Sequence, residues 1–140
     1  MAKTIADISV MVIDDNKQAI RLISMMLEDM GVTRIATAND GLSGLQAIQA
    51  AKPPFDVIIC DWNMPNLTGI ELLKKLRSSG KHTPFIMITG RDTVESAIDA
   101  ASSGVTSYLP KPFGPEKLEM KILQATGIRV IEDAPVAEVK

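Results

Sequence analysis

Five apolar runs, each followed by a segment of helical periodicity, constrain the fold of this chain more than any other feature of its sequence. The runs predict strands at residues 8–13, 34–38, 55–61, 84–88 and 105–109. Parallel strands need long crossover connections, which helices usually provide, and nearly all such connections are right-handed. We therefore predict an α/β domain in which a doubly wound, five-stranded parallel sheet carries helices on both faces.

The helices between these strands have their own start and stop signals. The turn residues Asn39-Asp40-Gly41 open the second helix. At the third helix Thr68 precedes Glu71 by the three residues of a capping box. Asp92 and Glu95 repeat that spacing at the fourth helix. Glycines that are predicted to end helices follow four of the five, at Gly31, Gly80, Gly104 and Gly127.

Length and composition indicate one folded domain. The chain has 140 residues, 46% of them hydrophobic, and a net charge of −2. We predict a domain at residues 1–126 that buries its own core, and a mobile tail at residues 127–140, where Pro135 and mixed charges interrupt the apolar pattern. No block of Lys and Arg is present to neutralise nucleic-acid phosphates. The first apolar run is too short to span a membrane, and the lone Cys60 cannot form an internal disulfide, so we predict a cytoplasmic protein with neither a nucleic-acid nor a membrane partner.

Polar side chains follow four of the predicted strands at the points where they end. Asp14 and Asp15 follow the first strand, and Asp61 ends the third; Thr89 and Lys111 follow the fourth and fifth. Because the carboxyl ends of parallel strands meet at one edge of a sheet, we expect these five side chains to converge. Three neighbouring carboxylates repel one another unless a hard divalent cation lies among them. Mg²⁺ suits such a site, since it prefers oxygen ligands and takes one or two carboxylates.

The remaining carboxylate, Asp61, is then free to react. A carboxylate can act as a nucleophile on phosphorus and form an aspartyl phosphate. Phosphoryl transfer mainly requires positioning and neutralisation of charge on the transferring oxygens. The Lys111 ammonium and the Thr89 hydroxyl can supply these interactions. The sequence therefore predicts a phosphoacceptor at Asp61, with Lys111 and Thr89 assisting.

This set of residues resembles the receiver domain of two-component response regulators, over roughly residues 7–125. The matching motifs are Asp14-Asp15, Asp61 with the loop Trp62-Asn63-Met64-Pro65-Asn66, Thr89, Tyr108 and Lys111-Pro112-Phe113. The resemblance is strongest to the single-domain type used in chemotaxis. It implies a flavodoxin-like sheet with strand order 2-1-3-4-5 and a cis peptide bond between Lys111 and Pro112.

The resemblance also implies a phosphorylation switch. A histidine kinase or phosphotransfer protein would phosphorylate Asp61, with Asp14, Asp15 or both, Asp61 and the backbone carbonyl of Asn63 holding Mg²⁺. Thr89 would then move toward the phosphoryl group and Tyr108 would turn inward. This movement would reshape the face formed by the fourth helix, the fifth strand and the fifth helix. A downstream protein such as a flagellar switch or signalling component would bind this face, and the resemblance allows a phosphatase as a further partner.

Two positions depart from the usual pattern of the family. Thr68 stands before Gly69, where an aspartate is common, and a role as a helix cap explains it. Arg91 stands two residues after Thr89, where chemotaxis receivers often carry an acidic residue. We hypothesise that Arg91 alters the lifetime of the phosphoryl group or binds a partner.

Other functions remain open at this point. A phosphate sink or stress-signalling relay would use the same site to compete for a kinase. A phosphohydrolase of the haloacid dehalogenase type would need a second aspartate two residues after Asp61, where this chain has Asn63, which cannot shuttle a proton. A flavodoxin-like FMN carrier is disfavoured because Asp14 and Asp15 would repel the FMN phosphate. We therefore expect a phosphate-accepting signalling protein and not a turnover enzyme.

Overall fold

Strands and helices alternate along the whole described chain. The computed structural model describes residues 4–90 and 93–128, which begin with a short 3₁₀ helix at Ile5–Asp7. The strands are β1 (Ser9–Ile13), β2 (Arg34–Ala38), β3 (Val57–Asp61), β4 (Phe85–Thr89) and β5 (Ser107–Pro110). The helices are α1 (Lys17–Asp29), α2 (Gly41–Ala50), α3 (Gly69–Ser78), α4 (Val94–Ser102) and α5 (Pro115–Thr126).

The five strands form one parallel sheet in the order β2-β1-β3-β4-β5. This result confirms the predicted fold class and the strand order that the resemblance implied. The register pairs Ile13 with Cys60 and Asp61 with Ile88, so β1, β3 and β4 end at nearly the same level. The polar residues that end or follow these strands therefore share one edge of the sheet.

The core lies in two layers, one on each face of the sheet. Side chains alternate along each strand, so neighbours such as Val12 and Ile13 enter opposite layers. One layer packs α2, α3 and α4 against the sheet, through Ile48, Leu72, Leu73, Leu76 and Ala100. The other packs α1 and α5 through Ile23, Leu27, Leu118 and Ile122. All five residues of β3 are buried, as expected of a central strand that is covered on both faces.

Some predicted boundaries were wrong by one or two residues. The sequence placed the start of the last strand at residue 105, but β5 begins at Ser107 because Gly104 and Val105 close the turn after α4. The predicted cap of α4 was Asp92, whereas the N-cap is Thr93, whose side chain accepts a hydrogen bond from the amide of Ser96. Asp92 and Thr93 are adjacent, and both residue types can cap a helix, so only the folded backbone distinguishes them.

The last helix ends at the predicted glycine. Helix α5 ends at Thr126, and Gly127 adopts a left-handed conformation with φ 74°. Ile128 packs against the α1 and α5 layer. Residues 129–140, most of the predicted mobile tail, lie outside the described residues, so the division at residue 126 stays a prediction. Among residues 4–90 and 93–128, no helix has the length and apolar character needed to cross a membrane.

Candidate active site

Three carboxylates meet at the carboxyl edge of the sheet. Asp14 and Asp15 follow β1, Asp61 ends β3, and one carboxylate oxygen from each lies within 4.8 Å of the other two. The Asp14 side chain is buried, with 1% of the residue exposed, and Asp61 is 6% exposed, whereas Asp15 is exposed. The sequence predicted this convergence from the strand ends, and the described structure brings the three residues together.

Lys111 completes the cluster. Its Nζ lies 3.2 Å from Asp61 Oδ1 and 3.9 Å from Asp14 Oδ2. The backbone of Lys111 is held in place because its amide donates a hydrogen bond to the Thr89 carbonyl at 2.8 Å. The Lys111–Pro112 peptide bond is cis, as the resemblance implied. The ammonium group therefore contacts the carboxylate that is predicted to react.

Burial and charge repulsion make both buried acids less acidic than usual. Burial is the main cause that raises the pKa of Asp14; the amide of Asn16 opposes it with a hydrogen bond at 2.9 Å, and the charge of Asp61 raises it further. Burial also raises the pKa of Asp61, and the nearby charge of Lys111 is the main opposing effect. A cation among the carboxylates would favour their charged forms.

The cluster fits a magnesium ion. Among the described residues, Asp14 Oδ2 is a buried oxygen without a hydrogen-bond partner, and such an atom is costly unless a cation or another donor satisfies it. The three side chains offer only oxygen ligands, which Mg²⁺ prefers. Asn63, predicted to contribute its carbonyl, lies exposed in the loop after β3, two residues beyond Asp61.

Thr89 and Tyr108 lie on neighbouring strands. Thr89 ends β4 with no exposed surface, and Tyr108 is a half-buried residue of β5 that pairs in register with Met87. Tyr108 packs against the core layer that also contains α4. The predicted switch residues therefore lie on adjacent strands, two residues apart in register, and Tyr108 is on the face of the sheet where α4 packs.

Two residues that support the site were not predicted from the sequence. The amide of Asn16 binds Asp14, and the Asn16 side chain caps α1 by accepting hydrogen bonds from two backbone amides. Gly69 packs so closely on the loop after β3 that a Cβ atom there would lie 2.5 Å from the carbonyl oxygen of Asp61. Cap chemistry could have identified Asn16, but no sequence signal reports the packing distance at Gly69.

The two family departures have different outcomes. Thr68 forms a capping box with Glu71 at the start of α3, which confirms its predicted role. Arg91 lies outside the described residues, so the hypothesis about it stays a prediction.

A doubly wound parallel sheet with three carboxylates and a lysine at its carboxyl edge defines the class of receiver domains. A family model described as the response regulator receiver domain matches residues 10–123, and the chain belongs to that family.

Relatives of this chain indicate the type of receiver more closely. The chemotaxis protein CheY of Pseudomonas aeruginosa is 37% identical over 115 residues, which cover 81% of this chain and 91% of that protein. A receiver domain of Francisella response regulator 1452 has a TM-score of 0.81 and 35% identity, covering 86% of this chain and 98% of that one. CheY4 of Vibrio cholerae has a TM-score of 0.77 and 35% identity, covering 84% and 98%. The chain is a receiver domain of the CheY type.

Proposed function

We propose that this protein is a phosphorylation-controlled signalling switch whose phosphoacceptor is Asp61, within a functional unit of residues 1–126. The observation that carries the proposal is the contact of 3.2 Å between Lys111 Nζ and Asp61 Oδ1, beside a second buried carboxylate. A histidine kinase or phosphotransfer protein supplies the phosphoryl group. The Asp61 oxygen forms the new bond to phosphorus as the bond to the donor nitrogen breaks, and the proton needed by the leaving imidazole comes from solvent.

The residues of the site have different roles in this transfer. Asp14, Asp15 or both, Asp61 and the Asn63 carbonyl would hold Mg²⁺, which when bound would supply positive charge to the phosphoryl oxygens. Lys111 neutralises charge on the transferring group, and its charge favours the ionised form of Asp61 by opposing the rise in the pKa of that carboxyl. The low exposure of Asp61 limits access of water to the acyl phosphate.

The output is a change of the surface formed by α4, β5 and α5. The buried Thr89 hydroxyl moves toward the phosphoryl oxygens, and the half-buried Tyr108 ring turns into the space beside it. The charge added by phosphorylation thereby shifts the equilibrium between two arrangements of this surface. The partner that reads this surface is a protein, and the CheY relatives in Pseudomonas and Vibrio support a component of the chemotaxis machinery.

The transfer is tested by intact-mass measurement after incubation with phosphoramidate, which carries a phosphorus–nitrogen bond like that of phosphohistidine. We expect wild-type protein to gain the mass of one phosphoryl group only when Mg²⁺ is present. Asp61→Asn should gain none, while Asp29→Asn, which alters an exposed carboxylate at the end of α1, should behave as wild type. Phosphorylation of Asp61→Asn to the wild-type extent would contradict the proposal.

The partner is tested by affinity capture with and without the phosphoryl mimic BeF₃⁻. A flagellar switch component that binds only the BeF₃⁻ form would support the chemotaxis assignment. A histidine kinase or phosphotransfer protein as the only captured protein would instead favour a phosphate sink or relay. Sustained release of phosphate from an external phosphoester would contradict a signalling role and favour the phosphohydrolase class.

A further inference from the structure

The side chain of Arg77 crosses from α3 to the turn that follows α4. Its Nε donates a hydrogen bond to the carbonyl of Gly104 at 3.1 Å, and Nη1 donates to the carbonyl of Lys81 at 3.1 Å. Gly104 lies 27 residues from Arg77 along the chain and Lys81 lies 4 residues from it, so the side chain contacts two different loops. No carboxylate in the described part of the chain lies within salt-bridge distance of the Arg77 guanidinium. Within the described residues, the guanidinium is therefore held by backbone oxygens.

The charge of Arg77 is placed where two helices end. Arg77 is in the last turn of α3, and Gly104 lies just beyond the last turn of α4. The carboxyl ends of helices carry partial negative charge, so one cation stabilises both ends. Burial lowers the pKa of Arg77, because its charge is partly removed from water. The planar guanidinium can also serve two acceptors in fixed directions, which an ammonium group cannot match.

The turn after α4 is shaped to receive this side chain. Gly104 has φ +94°, a left-handed conformation that disfavours other residues, and a Cβ atom there would lie 3.2 Å from Arg77 Cγ. Just beyond, Thr106 makes two hydrogen bonds to the backbone of Phe85 in β4. The Thr106 amide donates to the Phe85 carbonyl, and the Thr106 hydroxyl oxygen accepts from the Phe85 amide, both at 2.9 Å. The carboxyl end of α4 is thus attached to α3 on one side and to the sheet on the other.

The rest of α4 has few buried contacts. Of its side chains at residues 95–102, only Ala100 is buried, and Ile98 is 62% exposed. Helices with few buried apolar contacts belong to the low-stability part of a protein. The amino end of α4 follows β4, which ends at the proposed switch residue Thr89.

We infer that Arg77 is a positioning residue that makes the carboxyl end of α4 a fixed hinge, so that the movement of Thr89 swings the amino end of α4. This inference rests on the proposed function, because phosphorylation of Asp61 is what moves Thr89. The anchoring of Gly104 by Arg77 does not depend on phosphorylation. The Arg77 contacts hold Gly104 in both arrangements, and the displacement is confined to the first turns of the helix.

The anchoring is tested by amide hydrogen exchange resolved by NMR, without any ligand. In Arg77→Met we expect protection of the amides of Ser103, Gly104 and Val105 to fall by about tenfold or more, the scale of one charge-assisted hydrogen bond. Arg77→Lys, which keeps the charge but lacks the planar guanidinium, should lose less of this protection. Lys75→Met removes an exposed charge from the same turn of α3 and should change nothing.

Protection of the β1 amides separates anchoring from global stability. If Arg77→Met lowers protection in β1 as much as at Gly104, the side chain serves the whole fold and the hinge is excluded. Unchanged protection at Gly104 would also overturn the inference. Arg77→Lys gives the same comparison if the methionine variant does not fold.

The hinge is tested by adding BeF₃⁻ and Mg²⁺ to the wild-type protein. We expect large shifts and exchange changes at Ala97 and Ile98 and much smaller ones at Ser103 and Gly104. In Arg77→Met the changes should spread to Gly104. Equal changes at both ends of wild-type α4 would overturn the hinge. If no resonance of the domain responds to BeF₃⁻, the proposed function fails and the hinge fails as a switch element, while the ligand-free exchange still reports the anchoring.

Discussion

The Nζ of Lys111 lies 3.2 Å from Oδ1 of Asp61, although 50 residues separate the two in the chain. This ion pair joins the end of β3 to the connection after β5. Because β4 lies between these strands in the sheet, the lysine side chain must extend past the end of β4 to reach the carboxylate. The contact places a positive charge beside the carboxylate that is proposed to attack phosphorus.

Replacing this lysine should slow phosphorylation far more than it changes stability. In Lys111→Met, we expect the rate of phosphoryl transfer from phosphoramidate to fall by about 100-fold, because one preorganised charge at the transferring group is lost. The pKa of Asp61 should also rise further, since the lysine charge lowers it. Lys117→Met, which removes an exposed charge from α5, is the matched control and should phosphorylate normally. An equal rate in the two variants would contradict the role of Lys111.

The buried acids should make the stability of the metal-free protein depend on pH. Burial raises the pKa values of Asp14 and Asp61, so the folded protein binds these protons more tightly than the unfolded chain does. Their stabilising effect is present below the usual carboxyl pKa of about 4 and is lost as the pH rises through the raised values. We therefore expect metal-free Asp14→Asn to be more stable than wild type at pH 7 by about 0.5–2 kcal/mol, the usual range for one stabilising substitution.

Denaturant unfolding of both proteins at acidic and neutral pH checks this expectation. The advantage of Asp14→Asn should shrink toward pH 4, where the wild-type carboxyl becomes protonated. Mg²⁺ should stabilise the wild-type protein at pH 7 and leave the variant unchanged. A metal-free variant that is less stable than wild type at neutral pH would show that the buried carboxylate is not repelled in the cluster.

Trp62 should report metal binding through its fluorescence. It is the only tryptophan of the chain, follows Asp61 directly and is 5% exposed, while its amide donates a hydrogen bond to the Ile88 carbonyl at 2.9 Å. We expect Mg²⁺ to change the emission, and a chelator to reverse the change. Asp14→Asn should abolish the response. Calorimetric binding of Mg²⁺ to wild-type protein with no change in emission would contradict this prediction.

Gly69→Ala should disturb the loop that follows the phosphoacceptor. The added Cβ would lie 2.5 Å from the Asp61 carbonyl oxygen and 2.9 Å from Met87 Sδ, and backbone atoms can move less easily than a side chain. We expect a loss of about 1–3 kcal/mol in the free energy of unfolding, as for other overpacked sites, together with slower phosphorylation. Gly90→Ala is the control for stability, since its Cβ would meet no heavy atom of the described residues within 4 Å. Equal stability of the two variants would show that the loop absorbs the methyl group.

The fold was predictable because its main signals are local. Each strand is a short apolar run, each helix has an apolar face, and parallel pairing then leaves few topologies. Boundaries were less certain where two signals compete, as at the start of α4, where Asp92 and Thr93 can both cap a helix. The 3₁₀ helix at Ile5–Asp7 has no apolar periodicity and was not predicted.

The site was predictable in its members but not in its distances. The convergence of Asp14, Asp61 and Lys111 follows from the positions of strand ends, whereas their pKa shifts depend on burial that only the packed structure reveals. The contact from Arg77 to Gly104 joins residues that no sequence pattern relates. Interactions of this kind depend on how α3 and α4 pack, which composition and spacing do not determine.

The central claim is that Asp61 carries the phosphoryl group, and chemical mapping tests it most directly. Wild-type protein is treated with phosphoramidate and Mg²⁺, then with borohydride, which reduces an acyl phosphate to an alcohol and leaves a free carboxylate unchanged. Peptide mass spectrometry then locates the reduced side chain. We predict reduction at Asp61 alone, dependent on Mg²⁺. Reduction at Asp14 or Asp15, or phosphate retained on a serine, threonine or histidine, would contradict the account.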